Sequence, residues 1–376
     1  MPLFLCFILG LNRIWQFGAP SNKDTQGFKF NVPLESLRGI LAMSVFFHHS
    51  VITCQFYRLG VWRAANSRFY ELLGPTAVLM FFFLSGYLFW AKSIADDGIP
   101  DIKAYFIARF RRILPLYCVV CSGVFLIVFL ETGLKRNVPP LDLIDQLLQW
   151  LAIGVPSGFP AINGYADTPR IVASVFWSLR YEMMFYFCLP FLQWFRRGHR
   201  LWILAVGFGL LRYIPSVNFL IGFIFGMMTA YLQPMISERR RSFLKSESAA
   251  CIALLPLIYL LLSRIEPYTL KHALLIWMPF IVITFGNTFG GVLTIRPMIS
   301  LGKISYGVYL THGLVLFVSS AIINRFIPIR DFSCIQFWIF TTLCGLMVLA
   351  LSSFLHQNVE RPFMHREKTA ARILAA

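Results

Sequence analysis

The stretch LESLRGILAMSVFFHHS, residues 34–50, combines a long apolar run with an arginine near its start and two histidines at its end. Read as a helix, it places Arg38 and His49, eleven residues apart, on one face to within about 20° and roughly 16 Å apart along the axis. His48 points about 100° away from that face. Burying an ionisable group inside a membrane span is unfavourable in free energy, and such groups mostly have a functional role. The stretch therefore predicts a functional helix if the chain crosses a membrane.

The composition of the 376-residue chain is that of a membrane protein. Hydrophobic residues make up 57% of it and charged residues only 14%, with a mean hydropathy of +0.67. A soluble domain carries about 25% charged residues, so this chain has too little polar surface to be one. The net charge of +17 lies in short Lys and Arg clusters between apolar runs. Membrane proteins distribute their orientation charges in this way, and we expect no nucleic-acid partner.

Apolar runs near span length recur along the chain and predict an all-α, polytopic transmembrane helix bundle of about ten spans. The predicted spans lie at about 37–57, 71–91, 113–131, 172–195, 201–214, 216–233, 249–263, 272–289, 304–325 and 334–356. If the chain has these ten spans, basic clusters such as ARFRRI, FRRGHR and ERRRSF fall in segments on the same side of the membrane. The bias of Lys and Arg toward that side predicts that both termini are cytoplasmic.

The corresponding organisation is a single transmembrane domain, residues 31–363. It is preceded by an N-terminal cytoplasmic or interfacial segment, 1–30, and followed by a short basic cytoplasmic tail, 364–376. The longest outer loop, about 132–171, contains LIDQLLQWLAIGV, which we expect to lie on the membrane or to re-enter it.

A histidine on the Arg38 face suits acid–base chemistry. The pKa of a free imidazole lies near neutrality, so His49 can act as a general base toward a hydroxyl group. The alternative is a histidine that hydrogen-bonds a neighbouring helix for packing. The shared face with Arg38 favours His49 over His48.

Two arginines stand at the start of another predicted span, in YFIARFRRILPLY, residues 105–117. Arg109 and Arg112 are i,i+3 neighbours on one helix face. Paired guanidinium groups suit phosphate oxygens, and a donor such as coenzyme A carries several phosphates. Basic residues at an inner helix end also commonly orient the span and contact anionic lipid, so both interpretations stand.

Glu182 lies in the aromatic sequence WSLRYEMMFYFCLPF, residues 177–191, which we expect at an outer helix end. Arg180 is two residues away and cannot pair with it on the same helix face. Glu182 therefore needs a partner on another element, as an acid that lines a site or as a structural acid.

Two further ionisable residues lie near the C-terminus. His312, in LGKISYGVYLTHGLV, is a candidate site residue or a histidine paired with a neighbouring helix. Glu360, in HQNVERPF, follows the last predicted span. We expect it to pair with Arg38 or an entrance arginine, or to be solvated.

In this order the segments resemble the acyltransferase-3 family of polytopic bacterial membrane enzymes, which O-acylate surface polysaccharides, peptidoglycan and lipid-linked sugars. The resemblance covers roughly residues 30–363. It rests on ESLRGILAMSVFFHH, FFFLSGYL, RFRRILPLY, WSLRYEMMFYFCLP, LGKISYGVYLTH and VERPF. The W-S-L-x-Y-E variant looks closest to members that act on exopolysaccharides.

The resemblance implies roles for particular residues. His49 matches the histidine that the family needs for transfer, and Arg38 matches the arginine of its first motif. Arg109 and Arg112 match the R-x-x-R associated with the acyl-CoA donor, and Glu360 matches the acid of the last motif.

Two positions depart from the family pattern. Glu35 stands where the first motif usually has Asp, and Ile52 stands where some members have an acid three residues after the histidine. If that acid orients the histidine, another residue must do so in this chain.

The sequence thus predicts an integral-membrane O-acyltransferase of the bacterial inner membrane, acting on a cell-surface or exopolysaccharide sugar. The acyl group, most simply acetyl, would come from acyl-CoA, a donor substrate, and we expect no bound cofactor and no metal. His49 would deprotonate the attacking hydroxyl or relay the acyl group, and Glu182 would line the outer side. Ser85, in FLSGY, is a candidate oxyanion donor or a packing residue.

The alternative function is a membrane carrier for a lipid-linked sugar or a small anion. Intramembrane His, Arg and Glu serve transport equally well. Dependence on an acyl-CoA donor separates the two functions.

Overall fold

The computed structural model describes residues 32–64, 66–99, 101–155, 157–192 and 219–364. Apart from one isolated bridge between Ile162 and Tyr165, the regular structure in these ranges is helical, which confirms the predicted all-α class. The α-helices are α1 (Val32–Leu59), α2 (Arg68–Ala95), α3 (Ile102–Glu131), α4 (Pro140–Leu151), α5 (Thr168–Ile171), α6 (Phe176–Leu192), α7 (Leu220–Leu232), α8 (Glu238–Leu244), α9 (Glu247–Leu262), α10 (Leu270–Thr284), α11 (Arg296–Lys303), α12 (Ser305–Ile323) and α13 (Cys334–Leu355).

Five helical segments of the described ranges are long and apolar enough to cross a membrane: α1, α2, α3, α12 and the segment Cys334–Met364 that starts with α13. The bent pair α8 and α9, with 64° between the two helices, makes a sixth if it counts as one span. The chain is therefore a multi-pass membrane protein. The expected span at 201–214 lies outside the described residues, and ten spans and the sides of the termini remain predictions.

Polar residues fix several helix starts by accepting a backbone hydrogen bond that the first turn leaves open. Asp101 accepts from the backbone N–H of Ala104 at 2.9 Å and so starts α3. Ser333 and Gln336 form a reciprocal capping box at the start of α13. These caps set where the long apolar helices begin.

Glycines allow α2 and α7 to cross with their backbones in contact. A Cβ added at Gly226 would collide with the carbonyl oxygen of Phe83, and one added at Gly86 with that of Phe223. In a membrane the hydrophobic effect does not drive helices together, because the surrounding lipid is as apolar as they are. Close backbone packing at small residues then stabilises their association. The crossing holds α2 in the middle of the bundle.

The first helix, α1, packs against α2, α11 and α12. Gly39 lies against the backbone of Leu301 and Gly302 on α11, where a Cβ would come within 2.8 Å of backbone atoms. We call the end of the bundle that holds Arg38, Arg109 and Arg112 the arginine end. The opposite end, where α1 finishes after His49, is the histidine end.

The loop at the histidine end, about 132–175, is built around the buried Asn163. The Asn163 side chain donates to Thr132 Oγ1 at 2.9 Å and to the Lys135 carbonyl at 2.7 Å, and it accepts from the Asn137 N–H at 2.8 Å. Its φ of +54° is one that Asn tolerates better than most residues. This network ties Asn163, in the later part of the loop, to the start of the loop.

Helix α4, within that loop, is amphipathic. Its exposed apolar side chains are Leu141, Ile144, Leu148 and Leu151, which recur at helical spacing. An apolar stripe on a surface helix suits the membrane interface. This favours the interfacial interpretation of LIDQLLQWLAIGV over re-entry.

Candidate active site

A cavity of about 100 Å³ lies between α1, α2, α3, α6 and α12, several times the space that one water molecule needs. Its lining combines charged groups, hydroxyl groups and an aromatic and aliphatic wall. The lining residues are Arg38, Val78, Phe81, Phe82, Leu84, Ser85, Leu88, Phe89, Arg112, Ile113, Ser178, Leu179, Glu182, Tyr186, Ser305, Tyr306 and Tyr309. We call it the arginine cavity.

Two arginines and one acid meet in the arginine cavity. Arg38 of α1 interacts electrostatically with Arg112 of α3 and with Glu182 of α6. Arg38 also forms an ion pair at 3.6 Å with Glu35, one turn earlier on α1. The cavity itself thus presents two positive side chains and one negative one, a balance that attracts an anionic or electron-rich group.

Glu182 is held by two hydroxyl groups. Ser85 Oγ donates to Glu182 Oε1 at 3.3 Å, and the Tyr186 hydroxyl donates to the same oxygen. Ser85, the candidate oxyanion donor, therefore directs its proton to Glu182. Glu182, which we expected to line the outer side, lines the same cavity as Arg38 and Arg112.

The two arginines of the R-x-x-R motif differ in their surroundings. Arg112 lines the cavity, whereas Arg109 does not. The Arg109 guanidinium carbon lies 4.2 Å from the ring centroid of Phe89 and 5.4 Å from that of Tyr105. Cation–π contacts of this kind orient the guanidinium group at the arginine end.

A pair of hydroxyl groups closes the cavity toward the histidines. The hydroxyl oxygens of Ser178 and Tyr309 are 2.6 Å apart, and both lie within 3.2 Å of the Val175 carbonyl oxygen. The Phe81 ring packs edge-on against Tyr309, with 5.9 Å between centroids. His312 follows one turn later on α12, its ring centroid 6.0 Å from that of Tyr309. One aromatic layer therefore separates the cavity from the histidines.

His49 and His312 are in contact, and their backbone partners define the protonation of each ring. His49 Nδ1 lies 2.9 Å from the Val45 carbonyl, and His312 Nδ1 lies 3.1 Å from the Val308 carbonyl. Because a carbonyl oxygen only accepts, each neutral ring carries its proton on Nδ1 and leaves Nε2 unprotonated. His312 Nε2 lies 3.3 Å from His49 Nδ1 and is a second, more distant acceptor for the proton that the Val45 carbonyl also accepts. This arrangement leaves His49 Nε2 as a proton acceptor.

His48 has a packing role. Its Nδ1 donates to the Tyr70 carbonyl at 2.6 Å, and its ring lies so close to Gly74 on α2 that a Cβ there would collide with it. The His48 ring thus fills the contact between α1 and α2, and His49 remains the candidate base.

Glu360 pairs with neither Arg38 nor an entrance arginine, and it is not solvated. It is buried, in a π-helical turn (His356–Glu360) that follows α13. Its Oε2 lies 3.1 Å from His356 Nδ1, and its Oε1 has no hydrogen-bond partner among the described residues. The carboxylate also lies close enough to Tyr306 to interact with it electrostatically.

Sequence reasoning missed several residues of this region. Tyr309 is three residues before His312, so helical spacing could have placed both on one face. Ser178 and His356 gave no signal of their own, because single polar residues near helix ends are common. Trp62 lies in the connection after α1, where no periodicity applies, yet its ring is nearly parallel to that of His49, at 17° and 6.4 Å between centroids.

Comparison with known proteins gives a family match over most of the chain. The acyltransferase-3 family, described as an acyltransferase domain, matches residues 31–357. The peptidoglycan O-acetyltransferase OatA of Listeria monocytogenes serovar 1/2a is 23% identical over 297 residues, 67% of this chain. That match spans only 46% of the length of OatA.

A second relative is similar over most of its own length. The "Putative acetyltransferase ORF330" of Acidianus two-tailed virus is 25% identical over 344 residues, 79% of this chain and 89% of the viral protein. No solved structure gives a significant match.

Proposed function

Because this chain belongs to the acyltransferase-3 family, we propose that it is an O-acetyltransferase that moves an acetyl group from acetyl-CoA to a sugar hydroxyl. The acceptor is a cell-surface polysaccharide, such as an exopolysaccharide, or a lipid-linked sugar. The observation that carries the proposal is the environment of His49, whose Nδ1 lies 2.9 Å from the Val45 carbonyl and 3.3 Å from His312 Nε2. With Nδ1 engaged in this way, Nε2 is the ring nitrogen left to accept a proton.

The donor enters from the arginine end. Arg112, with Arg109 oriented by the Phe89 and Tyr105 rings, holds phosphate oxygens of the donor through charge-assisted hydrogen bonds. Arg38 and Glu182 shape the cavity that receives the acyl end. Its volume of about 100 Å³ suits a short acyl group.

The transfer itself is a nucleophilic substitution at the thioester carbonyl. His49 Nε2 takes the proton of the acceptor hydroxyl while the hydroxyl oxygen bonds to the carbonyl carbon. The carbon–sulfur bond then breaks, and His49 returns the proton to the leaving thiolate, which gives the ester and free coenzyme A. His312 accepts from His49 Nδ1 and stabilises the imidazolium that forms in between.

A relay through His49 is compatible with the same geometry. In that route His49 Nε2 attacks the thioester carbonyl, the thiolate leaves, and the acceptor hydroxyl then takes the acetyl group from the imidazole. In either route the acetyl group must pass the layer formed by Tyr309 and Phe81. The location that fits is the bacterial inner membrane, with the arginine end at the cytoplasm, where acyl-CoA is available.

Donor-dependent transfer tests the proposal. The purified protein, reconstituted in lipid vesicles with radiolabelled acetyl-CoA and base-treated host polysaccharide, should form base-labile labelled polysaccharide. A His49→Asn variant should lose this product, because the Asn amide keeps a donor for the Val45 carbonyl and removes the base. Movement of sugar across the vesicle membrane without acetyl-CoA, and with no labelled product, would contradict the proposal and support a carrier.

A further inference from the structure

A cluster of aromatic and charged side chains extends from His49 at the histidine end, outside the arginine cavity. Its members are Phe56, Trp62, Asp167 and Arg170, and we call it the Trp62 cluster. It is built from the end of α1, the connection to α2 and the start of α5. None of the steps of transfer derived above uses it.

The cluster is continuous with His49 through ring contacts. Trp62 lies 6.4 Å from the His49 ring and nearly parallel to it. Phe56 packs against Trp62 at 6.2 Å in an edge-on arrangement. The Arg170 guanidinium carbon lies 3.9 Å from the Phe56 ring centroid, and Arg170 pairs with Asp167 at 2.5 Å.

Burial distinguishes these side chains from core residues and from lipid-facing aromatics. All four are half-buried, so they present surface while their neighbours hold them in place. An aromatic of the membrane-interface belt points toward lipid headgroups, whereas Trp62 is stacked on His49. The cluster therefore presents flat apolar surface next to the candidate base, with the Arg170–Asp167 ion pair against Phe56.

This combination fits a sugar ring. A pyranose has one face of C–H bonds, which packs on an aromatic ring, and a rim of hydroxyl groups, which bond to charged side chains. Resting on the proposed function, we propose that the Trp62 cluster binds the acceptor sugar, with the ring on Trp62 and a rim hydroxyl beside His49. Arg170 and Asp167 bond the other hydroxyls.

The position of the cluster has a consequence for the direction of transfer. The arginine cavity approaches the histidines from the arginine end, and the Trp62 cluster approaches them from the other end of the bundle. Donor and acceptor thus reach His49 from opposite ends of the bundle.

The test compares a sugar acceptor with a small alcohol in the same vesicles. Transfer to base-treated host polysaccharide should require the Trp62 cluster. Transfer to ethylene glycol, a non-sugar alcohol, should require only the donor and His49. Trp62→Ala should raise the KM for polysaccharide by roughly tenfold, the upper range for one aromatic contact. Its effect on transfer to ethylene glycol should be much smaller, and Trp62→Phe should recover part of the affinity for polysaccharide.

The matched control is Trp338→Ala. Trp338 lies on α13 at the same end of the bundle, where it packs against Phe47 and Tyr70. We expect this variant to keep the wild-type KM for polysaccharide.

Three other outcomes overturn the proposal in different ways. Unchanged polysaccharide transfer in Trp62→Ala would make Trp62 an interfacial aromatic. Equal loss of transfer to both acceptors would mean that Trp62 only orients His49. Absence of transfer to either acceptor by the wild-type protein would instead refute the proposed function, and the acceptor site with it.

Discussion

His312 Nε2 lies 3.3 Å from His49 Nδ1, although the two residues are 263 positions apart in the chain. The contact offers the Nδ1 proton of His49 a second acceptor beside the Val45 carbonyl, which lies 2.9 Å from the same nitrogen. Residue 52, one turn after His49 on α1, is an isoleucine and provides no carboxylate. In the proposed mechanism, the neutral imidazole of His312 therefore helps to orient His49.

Removal of this acceptor should slow transfer without weakening donor binding. We expect His312→Leu to lower kcat by roughly tenfold or more and to leave the KM for acetyl-CoA unchanged. His312→Gln should retain more activity, because its side-chain amide oxygen reaches the place of Nε2. Initial-rate kinetics on both variants, at equal amounts of folded protein, check this. Equal rates for Gln and Leu would contradict the orienting role.

Arg112 should contribute to donor binding, whereas its neighbour Arg111 should not. Arg112 lines the arginine cavity and Arg111 does not. Loss of a charge-assisted contact to phosphate should raise the KM for acetyl-CoA in Arg112→Ala by about tenfold. Arg111→Ala serves as the control and should stay near the wild-type value. A similar change in both variants would point to general electrostatics at the arginine end.

The helix positions were predictable because an apolar segment long enough to cross a membrane has few alternatives to a membrane-spanning helix. The predicted spans 71–91 and 304–325 correspond to α2 and α12, with ends that differ by a few residues. The shared face of Arg38 and His49 followed from helix geometry alone. The partners of these residues did not, because pairing between distant helices depends on packing.

Glu182 and Glu360 illustrate that limit. The position of Glu182 in its predicted span suggested the outer side, yet it lines one cavity with Arg38. Glu360 was expected to pair with an arginine or to be solvated, yet it is buried beside His356 in a π turn. Neither the packing of α6 against α1 and α3 around this cavity nor the π turn has a signature in local sequence.

The pair formed by His356 and Glu360 should contribute to stability. His356→Ala leaves a buried carboxylate without its partner, so we expect a loss of about 1–3 kcal/mol in the free energy of unfolding. The double variant His356→Ala, Glu360→Ala should be less destabilised than the sum of the single variants. Thermal unfolding in detergent micelles measures this coupling, and strict additivity would contradict the pairing.

The α2–α7 crossing should tolerate no added methyl group. A Cβ at Gly226 comes within 2.6 Å of the Tyr87 backbone nitrogen, so Gly226→Ala should destabilise the protein by roughly 1–3 kcal/mol. Gly123→Ala is the matched control on α3, because its Cβ would meet Leu314 at an ordinary 3.6 Å. The same unfolding assay checks both variants, and equal stability would show that α2 and α7 separate readily.

The most direct test of His49 as the base uses two adjacent histidines. His49→Asn and His48→Asn make the same substitution on neighbouring residues, and each keeps an amide donor for its backbone carbonyl. The measurement is the O-acetyl content of the host surface polysaccharide, by proton NMR before and after mild base, at matched membrane abundance. If His49 is the base, we predict that the acetyl signal is lost in His49→Asn and retained in His48→Asn. A normal acetyl signal in His49→Asn, in a host whose signal requires this protein, would contradict it.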